Sequence, residues 1–377
     1  IRVLPAVEPA CITGGLSQGY FCTECNETVR EQEYISSIGG HKAAYTKAVA
    51  PTCTKNGKSG SSYCTECKEV LIKASVLKAT GHSDTVALSP ATILRNGRKT
   101  VSCTVCKAVI SDVKIPKISQ ISLSRDVYAY DGKSKKPKVT VKNVEGKLLD
   151  ADKDYTVTYP SGRTEIGNYT VTVNFKGRYS GTEKVTFKIR PGVPSSLNTK
   201  SYEKSVKLSW KKVDSASGYR IYIYNSKTKK YEKYADTKNK SITVKKLKSS
   251  LIYKFRVKAY TDVGKKRYYS DSFAYVVTAT KPAKAELLSA VYVRRGEITL
   301  KWTKVKGADG YRILYSTDSK LSSPEKLTVK DGETVTETVK NLKAGKKYYF
   351  KVRAFKKADK KTVYGELSKA KSSYLRW

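Results

Sequence analysis

Methionine is absent from this 377-residue sequence, histidine occurs twice and phenylalanine seven times. No apolar run reaches the roughly 18 residues that a membrane helix needs, and we recognise no signal peptide, wall-sorting signal or lipidation signal. Because the chain begins at Ile1 and lacks methionine, we expect it to be a processed or excised piece of a longer polypeptide. Two histidines leave little scope for histidine-based catalysis, and no paired carboxylates stand out, so the sequence predicts a protein that is not an enzyme.

Acidic residues are also scarce, with 33 Asp and Glu against 74 Lys and Arg and a net charge of +41. Such a charge attracts polyanions, and the candidates are an anionic cell-wall polymer such as teichoic acid, an anionic host glycan, and nucleic acid. Lysines spread over the whole chain disfavour a sequence-reading nucleic-acid site. The alternative is that exposed lysines only keep β-strand edges from pairing and keep the protein soluble.

Cysteine is concentrated instead of scarce, since all eight cysteines lie in the first 106 residues. A repeated pattern contains six of them, in the form Cys-x10-Cys-x2-Cys followed by a Gly-His pair. The two copies are Cys11, Cys22, Cys25 and His41, and then Cys53, Cys64, Cys67 and His82. Three thiolates and one imidazole make a complete tetrahedral zinc set, so the pattern predicts two closed, structural zinc sites.

Disulfides are the alternative chemistry for these cysteines. Three cysteines in each copy leave one thiol over, so a disulfide-only scheme must join Cys11 to Cys53 and gives the histidines no role. Repeats of this size bury too little apolar surface to fold alone, which favours a metal as the stabilising element. We place the first repeat at 1–50 and the second at 51–90, and describe both as zinc-ribbon-like.

A third copy at 91–117 is degenerate. Ile93 stands where the second copy has Cys53, Cys103 and Cys106 keep the Cys-x-x-Cys pair, and no histidine follows. Two ligands cannot close a structural site, so we expect these two cysteines to be a local disulfide or free thiols. The copy would then serve as a packing unit that caps the array.

From Ile118 onward the apolar residues alternate with polar ones, which is the period of β-strands. Residues 118–190 are long enough for one β-sandwich. The motifs Val127-Tyr-Ala-Tyr-Asp-Gly132 and Ile166-Gly-Asn-Tyr-Thr-Val171 occur in this stretch. With them, the segment resembles an immunoglobulin-like repeat of large secreted proteins of Gram-positive bacteria.

Two copies of another β module complete the chain. Val206-Lys-Leu-Ser-Trp210 and Tyr253-Lys-Phe-Arg-Val-Lys-Ala259 in the first match Ile298-Thr-Leu-Lys-Trp302 and Tyr348-Tyr-Phe-Lys-Val-Arg-Ala354 in the second. These motifs resemble fibronectin type III domains, here placed at 191–281 and 282–377. The resemblance implies that the core tryptophans and the strand F tyrosines serve the fold and bind no ligand: Trp210, Trp302, Tyr253 and Tyr348.

The sequence therefore predicts a mostly β fold, with tandem small zinc-ribbon-like modules followed by three β-sandwich domains in a linear array. The domain types imply an extracellular, secreted or surface-attached spacer and adhesion arm that binds anionic polymers or glycans weakly. Two alternatives stay open: the accessory tail of a secreted hydrolase whose catalytic domain lies elsewhere, and a zinc-ribbon protein that binds nucleic acid.

Overall fold

The computed structural model describes residues 1–376, and this range contains 35 β-strands and no helix. The predicted fold class, mostly β with β-sandwich domains, is confirmed. Helical crossing of a membrane is accordingly not found in residues 1–376. Trp377, the last residue of the predicted final domain, lies outside the described residues.

The chain divides into two compact units, which we describe separately. The first consists of 1–119, 142–154 and 175–181, and the second of 120–141, 155–174 and 182 onward. The segment 118–190, predicted to be one domain, therefore contributes to both units.

Thirteen strands form the three N-terminal repeats of the first unit. They are β1 (Arg2–Leu4), β2 (Gly15–Leu16), β3 (Gly19–Phe21), β4 (Thr28–Arg30), β5 (Tyr34–Ile35), β6 (Ala43–Tyr45), β7 (Gly57–Lys58), β8 (Ser62–Cys64), β9 (Val70–Ile72), β10 (Val76–Leu77), β11 (Asp84–Ser89), β12 (Gly97–Cys103) and β13 (Val109–Ile115). Each repeat contains a three-stranded antiparallel sheet, β1-β3-β4, β6-β8-β9 or β11-β12-β13. The first two repeats add the small sheets β2-β5 and β7-β10.

These sheets place the structural repeats differently from the predicted boundaries. The three sheets begin at Arg2, Ala43 and Asp84, so the boundaries predicted after residues 50 and 90 each fall inside one sheet-forming unit. Each repeat has a glycine at an equivalent position where no side chain fits. In the second repeat, a Cβ at Gly57 would lie 2.2 Å from the carbonyl oxygen of Val49. Gly15 and Gly97 meet the same kind of obstruction from backbone atoms.

Six strands follow in the region predicted to be immunoglobulin-like. They are β14 (Ile118–Leu123), β15 (Val127–Ala129), β16 (Val139–Asn143), β17 (Tyr155–Thr158), β18 (Gly167–Phe175) and β19 (Thr182–Arg190). β14 pairs with β16, and the other four form the sheet β15-β19-β18-β17, in which β15 runs parallel to β19. Phe187 is fully buried in the second unit, where its ring packs 5.9 Å from Tyr128 and 5.3 Å from Tyr169.

Within the first unit, an ion pair with a buried carboxylate lies next to the third repeat. Asp154 is 3% exposed, and its carboxylate accepts two hydrogen bonds from Arg178, at 3.0 and 3.1 Å, and one from the backbone N–H of Asp150. Ala91, itself fully buried, donates its N–H to the Arg178 carbonyl and accepts from Ser180. The ion pair thus fixes the backbone segment on which the third repeat is hydrogen-bonded.

The last two modules have the same strand arrangement. The strands of the first are β20 (Ser195–Ser201), β21 (Val206–Lys211), β22 (Gly218–Asn225), β23 (Lys230–Thr237), β24 (Ser241–Val244), β25 (Ile252–Val263), β26 (Lys266–Tyr269) and β27 (Ala274–Ala279). Those of the second are β28 (Leu287–Arg294), β29 (Glu297–Trp302), β30 (Gly310–Ser316), β31 (Glu325–Val329), β32 (Thr336–Val339), β33 (Lys347–Ala358), β34 (Lys361–Tyr364) and β35 (Lys371–Tyr374). In each module a three-stranded sheet, β20-β21-β24 or β28-β29-β32, accompanies a five-stranded sheet.

The aromatic residues predicted to serve the fold do so. Trp210 packs against Tyr219 with ring centroids 5.1 Å apart, and Trp302 packs against Tyr311 at 5.2 Å. The strand F tyrosines hold the preceding loop in each module by a hydrogen bond. The hydroxyl of Tyr253 accepts a hydrogen bond from the backbone N–H of Lys248, five residues upstream, at 2.9 Å. In the second module the equivalent bond to the Tyr348 hydroxyl measures 3.0 Å.

Candidate metal centres and a lysine-lined groove

Each of the three Cys-x-x-Cys pairs sits in a tight turn at the end of a hairpin. In the second repeat, the N–H of Cys64 donates to the carbonyl of Glu69, and the N–H of Lys68 donates back to the carbonyl of Cys64. Lys68 has a φ of 65°, in the left-handed region that lets the chain reverse. Asn26 and Lys107 occupy the same place in the other turns, each with a φ of 62°. The backbone of each turn therefore holds its two sulfurs in one conformation.

Two of these turns each meet a cysteine and a histidine from the preceding repeat. The first cluster consists of Cys11, His41, Cys64 and Cys67, whose ligand atoms all lie within 4.8 Å of one another. The Sγ atoms of Cys11 and Cys64 are 3.5 Å apart, and Sγ of Cys67 is 3.4 Å from Nδ1 of His41. Ligand atoms at zinc-like bond lengths of about 2.0–2.3 Å stand about 3.3–3.8 Å apart around one tetrahedral ion. The cluster therefore fits a single ion.

The second cluster repeats this arrangement one repeat further along. It consists of Cys53, His82, Cys103 and Cys106. Its sulfur–sulfur distance between Cys53 and Cys103 is 3.8 Å, and its distance from Cys106 Sγ to His82 Nδ1 is 3.5 Å. Both clusters could hold a metal ion, and each offers three sulfurs and one ring nitrogen.

The structure corrects the predicted grouping of these ligands. Cys22 and Cys25 belong to neither cluster, although the sequence analysis grouped them with Cys11 and His41. Cys64 and Cys67 lie with the ligands of the repeat before them. The physical reason is the sheet register, because Ala43 is paired with Cys64 and so brings His41, two residues earlier, to the hairpin of the next repeat.

Of the two alternatives predicted for Cys103 and Cys106, a local disulfide or free thiols, the structure has the free thiols. It differs from the prediction in placing both in the second cluster, where the sequence predicted no metal site. The signal that could have revealed this is the degenerate copy itself. If each site takes its Cys-x-x-Cys pair from one repeat and its cysteine and histidine from the repeat before, the last repeat needs only a Cys-x-x-Cys pair. A cysteine and a histidine in that last repeat would have no later Cys-x-x-Cys pair to join.

Hydrogen bonds within the turns favour the thiolate form of one cysteine in each cluster. Backbone N–H groups, first that of Cys67, lower the pKa of Cys64 to about 6. Backbone bonding, first from Cys106, lowers the pKa of Cys103 to about 5. Cys11 faces Cys64, and the hydrogen bond to Cys64 raises the pKa of Cys11 to about 11. Cys53 faces Cys103, and its pKa is raised first by burial.

A carboxylate next to His41 distinguishes the two clusters. Nε2 of His41 lies 3.4 Å from Oε2 of Glu69. In the second cluster the residue equivalent to Glu69 is Ala108. The backbone carbonyl of Ala108 accepts a hydrogen bond from the N–H of Cys103, as the backbone carbonyl of Glu69 does from the N–H of Cys64. Within residues 1–376, His41 therefore has this outer carboxylate and His82 does not; it is the kind of group that orients a ligating imidazole.

The repeats bury almost no apolar side chains apart from these cysteines. Among residues 1–90, the buried apolar side chains are those of Cys11, Cys53 and Cys64. Valines and tyrosines on the strands are exposed, for example Tyr45 at 77% and Val70 at 63%. The sulfur clusters thus take the place of a hydrophobic core.

A second candidate site is a shallow groove on the first of the two C-terminal modules, which we call the lysine-lined groove. It has a volume of about 690 Å³ and lies along the sheet β20-β21-β24. Five lysines line it, all exposed and none accompanied by an acidic lining residue: Lys200, Lys207, Lys211, Lys212 and Lys240. The sequence predicts lysines spread over every domain and not gathered in one cleft, so this concentration was not predicted. The alternation of Lys207, Ser209 and Lys211 between buried residues was the available signal.

Comparison with known proteins identifies the last two modules. The fibronectin type III domain model matches residues 192–274 and 283–365, so the chain contains two fibronectin type III domains, as the tryptophan and tyrosine motifs predicted. A Kelch domain-containing protein of Saccharolobus solfataricus is 29% identical over 162 residues, which are 41% of this chain and 22% of that protein. The chain thus matches about a fifth of the length of this relative.

Solved structures of chicken proteins are also similar. A two-domain fibronectin type III segment of chicken tenascin is 19% identical, covering 49% of this chain and 99% of its own, with a TM-score of 0.30. The FN1-FN3 domains of chicken CNTN1 are 16% identical, covering 78% of this chain and 100% of their own, with a TM-score of 0.33.

Proposed function

We propose that this chain is a non-catalytic extracellular spacer and adhesion arm, with N-terminal repeats stabilised by two structural zinc ions and a lysine-rich surface that binds anionic polymers or glycans. Its two fibronectin type III domains are modules typically found in non-catalytic, often extracellular, roles of this kind. The observation that carries the binding half of the proposal is the lysine-lined groove, where five exposed lysines meet on one sheet face.

Zinc is the metal that the ligand chemistry favours. Three sulfurs and one imidazole nitrogen form a soft, tetrahedral set, which suits zinc better than the oxygen-seeking calcium or magnesium ions. Four protein ligands also leave no open coordination position, so the role is structural and not catalytic. The ions would stabilise repeats that otherwise bury three cysteines and no larger apolar side chain over residues 1–90.

Glu69 provides a test of the first zinc site. We expect Glu69→Ala to lower the zinc affinity of the first site by about tenfold, because His41 loses the carboxylate that orients it. Glu69 is 63% exposed, which places the effect at the lower end for such partners. Competition with a chromophoric chelator measures both affinities in one sample.

The second site is the internal control for Glu69→Ala, and its affinity should not change. Glu69→Gln keeps an acceptor for the imidazole N–H and should lose less affinity than the alanine variant. Equal loss at both sites would show that the substitution disturbs the repeats in general, and no loss at either would show that Glu69 does not support the first site.

The arrangement of the groove supports recognition of polyanions. Lys200 is directly opposite Lys207 in the sheet, and like charges at such positions destabilise a strand pair by roughly 0.2–1 kcal/mol. Hydroxyl groups accompany the lysines, since Ser209 and Ser241 also line the groove and pair across β21 and β24. The equivalent sheet of the second fibronectin domain carries Lys301 between Ser289 and Thr336. The first fibronectin domain is therefore the one proposed to hold the ligand.

Binding to purified wall teichoic acid or sulfated mucin should weaken strongly with salt. We expect at least a tenfold loss of affinity, on the order of magnitude of counterion release, between low and physiological ionic strength. The variant Lys200→Gln/Lys207→Gln/Lys211→Gln should bind about tenfold more weakly and lower the slope of log affinity against log salt by roughly 2–3. Isothermal titration or surface binding at several salt concentrations measures both.

A matched variant removes the same charge elsewhere. Lys320→Gln/Lys330→Gln/Lys360→Gln takes three exposed lysines from the second fibronectin domain and should change affinity by about twofold or less, because the change in net charge alone acts weakly at a distance. Equal losses in the two variants would contradict a role for the groove. Binding that is independent of salt would contradict the electrostatic arm, and tighter binding of duplex DNA would favour the nucleic-acid alternative.

A further inference from the structure

The Cys-x-x-Cys turn of the first repeat is built like the two that belong to complete clusters. The N–H of Cys22 donates to the carbonyl of Glu27 at 2.9 Å, and the N–H of Asn26 donates to the carbonyl of Cys22 at 3.1 Å. The corresponding bonds of the second repeat measure 2.9 and 3.0 Å. Cys22 and Cys25 thus present two sulfurs in the conformation that the neighbouring turns use to present theirs.

No cysteine or histidine is left in the described residues to complete this turn. Both histidines of the chain are taken, His41 by the first cluster and His82 by the second. The other six cysteines are likewise members of those two clusters. Cys22 is half-buried, whereas Cys64 and Cys103, the same residue in the later turns, are 0% and 1% exposed.

The sheet register predicts the position of the histidine that would complete a site at Cys22 and Cys25. In the later repeats Ala43 is opposite Cys64 and Asp84 is opposite Cys103, and in both cases the ligating histidine is two residues before the paired residue. In the first repeat Arg2 is opposite Phe21, so continuing the antiparallel register by one places Ile1 opposite Cys22. The histidine position is then two residues before Ile1, on the amino-terminal side of β1.

We propose that Cys22 and Cys25 are the acceptor half of a third zinc site, completed by the cysteine and histidine of a further copy of the repeat on the amino-terminal side of β1. The inference rests on the proposed zinc function of the two complete clusters. Under this proposal, the first repeat binds a preceding repeat through the same kind of zinc site that links the later repeats. Each repeat would then be linked to the next through a shared ion.

A chain extended by one repeat tests this directly. Residues 43–83 are placed directly before Ile1 of the full chain, so that the added copies of His82 and Ser83 occupy the two positions before Ile1. The added copies of Cys64 and Cys67 are replaced by serine, which leaves one cysteine and one histidine in the extension. Cobalt(II) replaces zinc as the probe, because its thiolate charge-transfer absorption reports the number of bound sulfurs.

We expect the extended chain to bind three cobalt ions in tetrahedral sites of three sulfurs and one nitrogen, and the original chain to bind two. Cys22→Ser/Cys25→Ser in the extended chain should return the count to two, as should His82→Ala in the added copy alone. Two sites in the extended chain, unchanged by these substitutions, would overturn the third site and leave the first two standing. Fewer than two sites in the original chain would overturn the zinc proposal itself.

Discussion

Chelation of bound zinc is expected to unfold residues 1–117 and to leave the two fibronectin type III domains folded. The N-terminal repeats depend on the metal because the buried apolar side chains of residues 1–90 are Cys11, Cys53 and Cys64. Structural zinc in small domains contributes an apparent binding free energy of about 10–16 kcal/mol, as large as the whole stability of a typical domain, about 5–15 kcal/mol. No other interaction in these repeats approaches that magnitude.

The fibronectin domains have cores that need no metal. In the second of them, Trp302, Tyr311 and Phe350 are almost completely buried with 13 other apolar residues in one cluster. In the first, nine buried residues, Trp210 among them, form the equivalent core. Their unfolding should therefore be insensitive to chelators.

Two signals separate the regions in one experiment. The tryptophans of the chain are Trp210, Trp302 and Trp377, so tryptophan fluorescence reports the C-terminal part and should not change on chelation. Limited trypsin digestion should remove residues 1–117 rapidly in the chelated protein and slowly in the zinc-loaded one. Cys64→Ser should produce the cleavage without a chelator, and Cys22→Ser, which removes no ligand of a complete cluster, should not. Equal resistance to trypsin with and without zinc would contradict a structural metal.

The ligand types of the metal centres could be predicted from the sequence, but their grouping could not. Because the motif repeats, the spacing of the ligands does not show whether Cys11 shares an ion with the Cys-x-x-Cys pair that begins 11 residues later or with the pair of the next repeat. The choice depends on strand register, since the β6–β8 pairing carries His41 to the hairpin of the second repeat. Register is a long-range property and leaves no mark on ligand spacing.

The fibronectin domains were predictable because their signals are local. Val206, Leu208 and Trp210 alternate with exposed residues on one strand, and the pattern alone places them in a core. The region 118–190 was harder for the opposite reason. Its segments 142–154 and 175–181 belong to the first unit. Asp154 and Arg178, which are 24 residues apart and form no sequence motif, join these two segments to each other, and backbone hydrogen bonds with Ala91 join 175–181 to the third repeat.

Arg178→Ala is expected to destabilise the first unit by about 2–3 kcal/mol. The substitution leaves the Asp154 carboxylate, which is 3% exposed, without its cation, and an uncompensated buried charge costs about 3–5 kcal/mol. The expected value lies below that range because the Arg178 side chain is 52% exposed and water screens the pair. The segment that carries Arg178 also holds Ala91 of the third repeat by backbone hydrogen bonds, so the loss should extend to that repeat.

The dependence of this loss on pH has a definite sign. Burial disfavours ionisation of Asp154, but hydrogen bonds from Arg178 and from the Asp150 N–H outweigh it and hold the pKa of Asp154 below its usual value. The pair therefore stabilises the folded protein above the pKa of an unfolded aspartate, about 3.9, and this contribution disappears as the pH falls through the lower folded pKa. Without Arg178, burial should raise the pKa, so the difference between variant and wild type should shrink between pH 7 and pH 4.

Hydrogen exchange of peptides covering 85–95 and 142–181, at fixed zinc concentration, measures the loss where it should occur. Arg98→Ala is the matched control in the same unit, because the Arg98–Asp112 pair is exposed on both sides, at 66% and 39%, and should contribute less than about 1 kcal/mol. Combining Arg178→Ala with Asp154→Asn removes the unpaired charge and should recover part of the stability. If Arg178→Ala costs no more than Arg98→Ala at pH 7, or its cost does not fall on acidification, Asp154 does not depend on Arg178 and the segment 175–181 is held by its backbone hydrogen bonds alone.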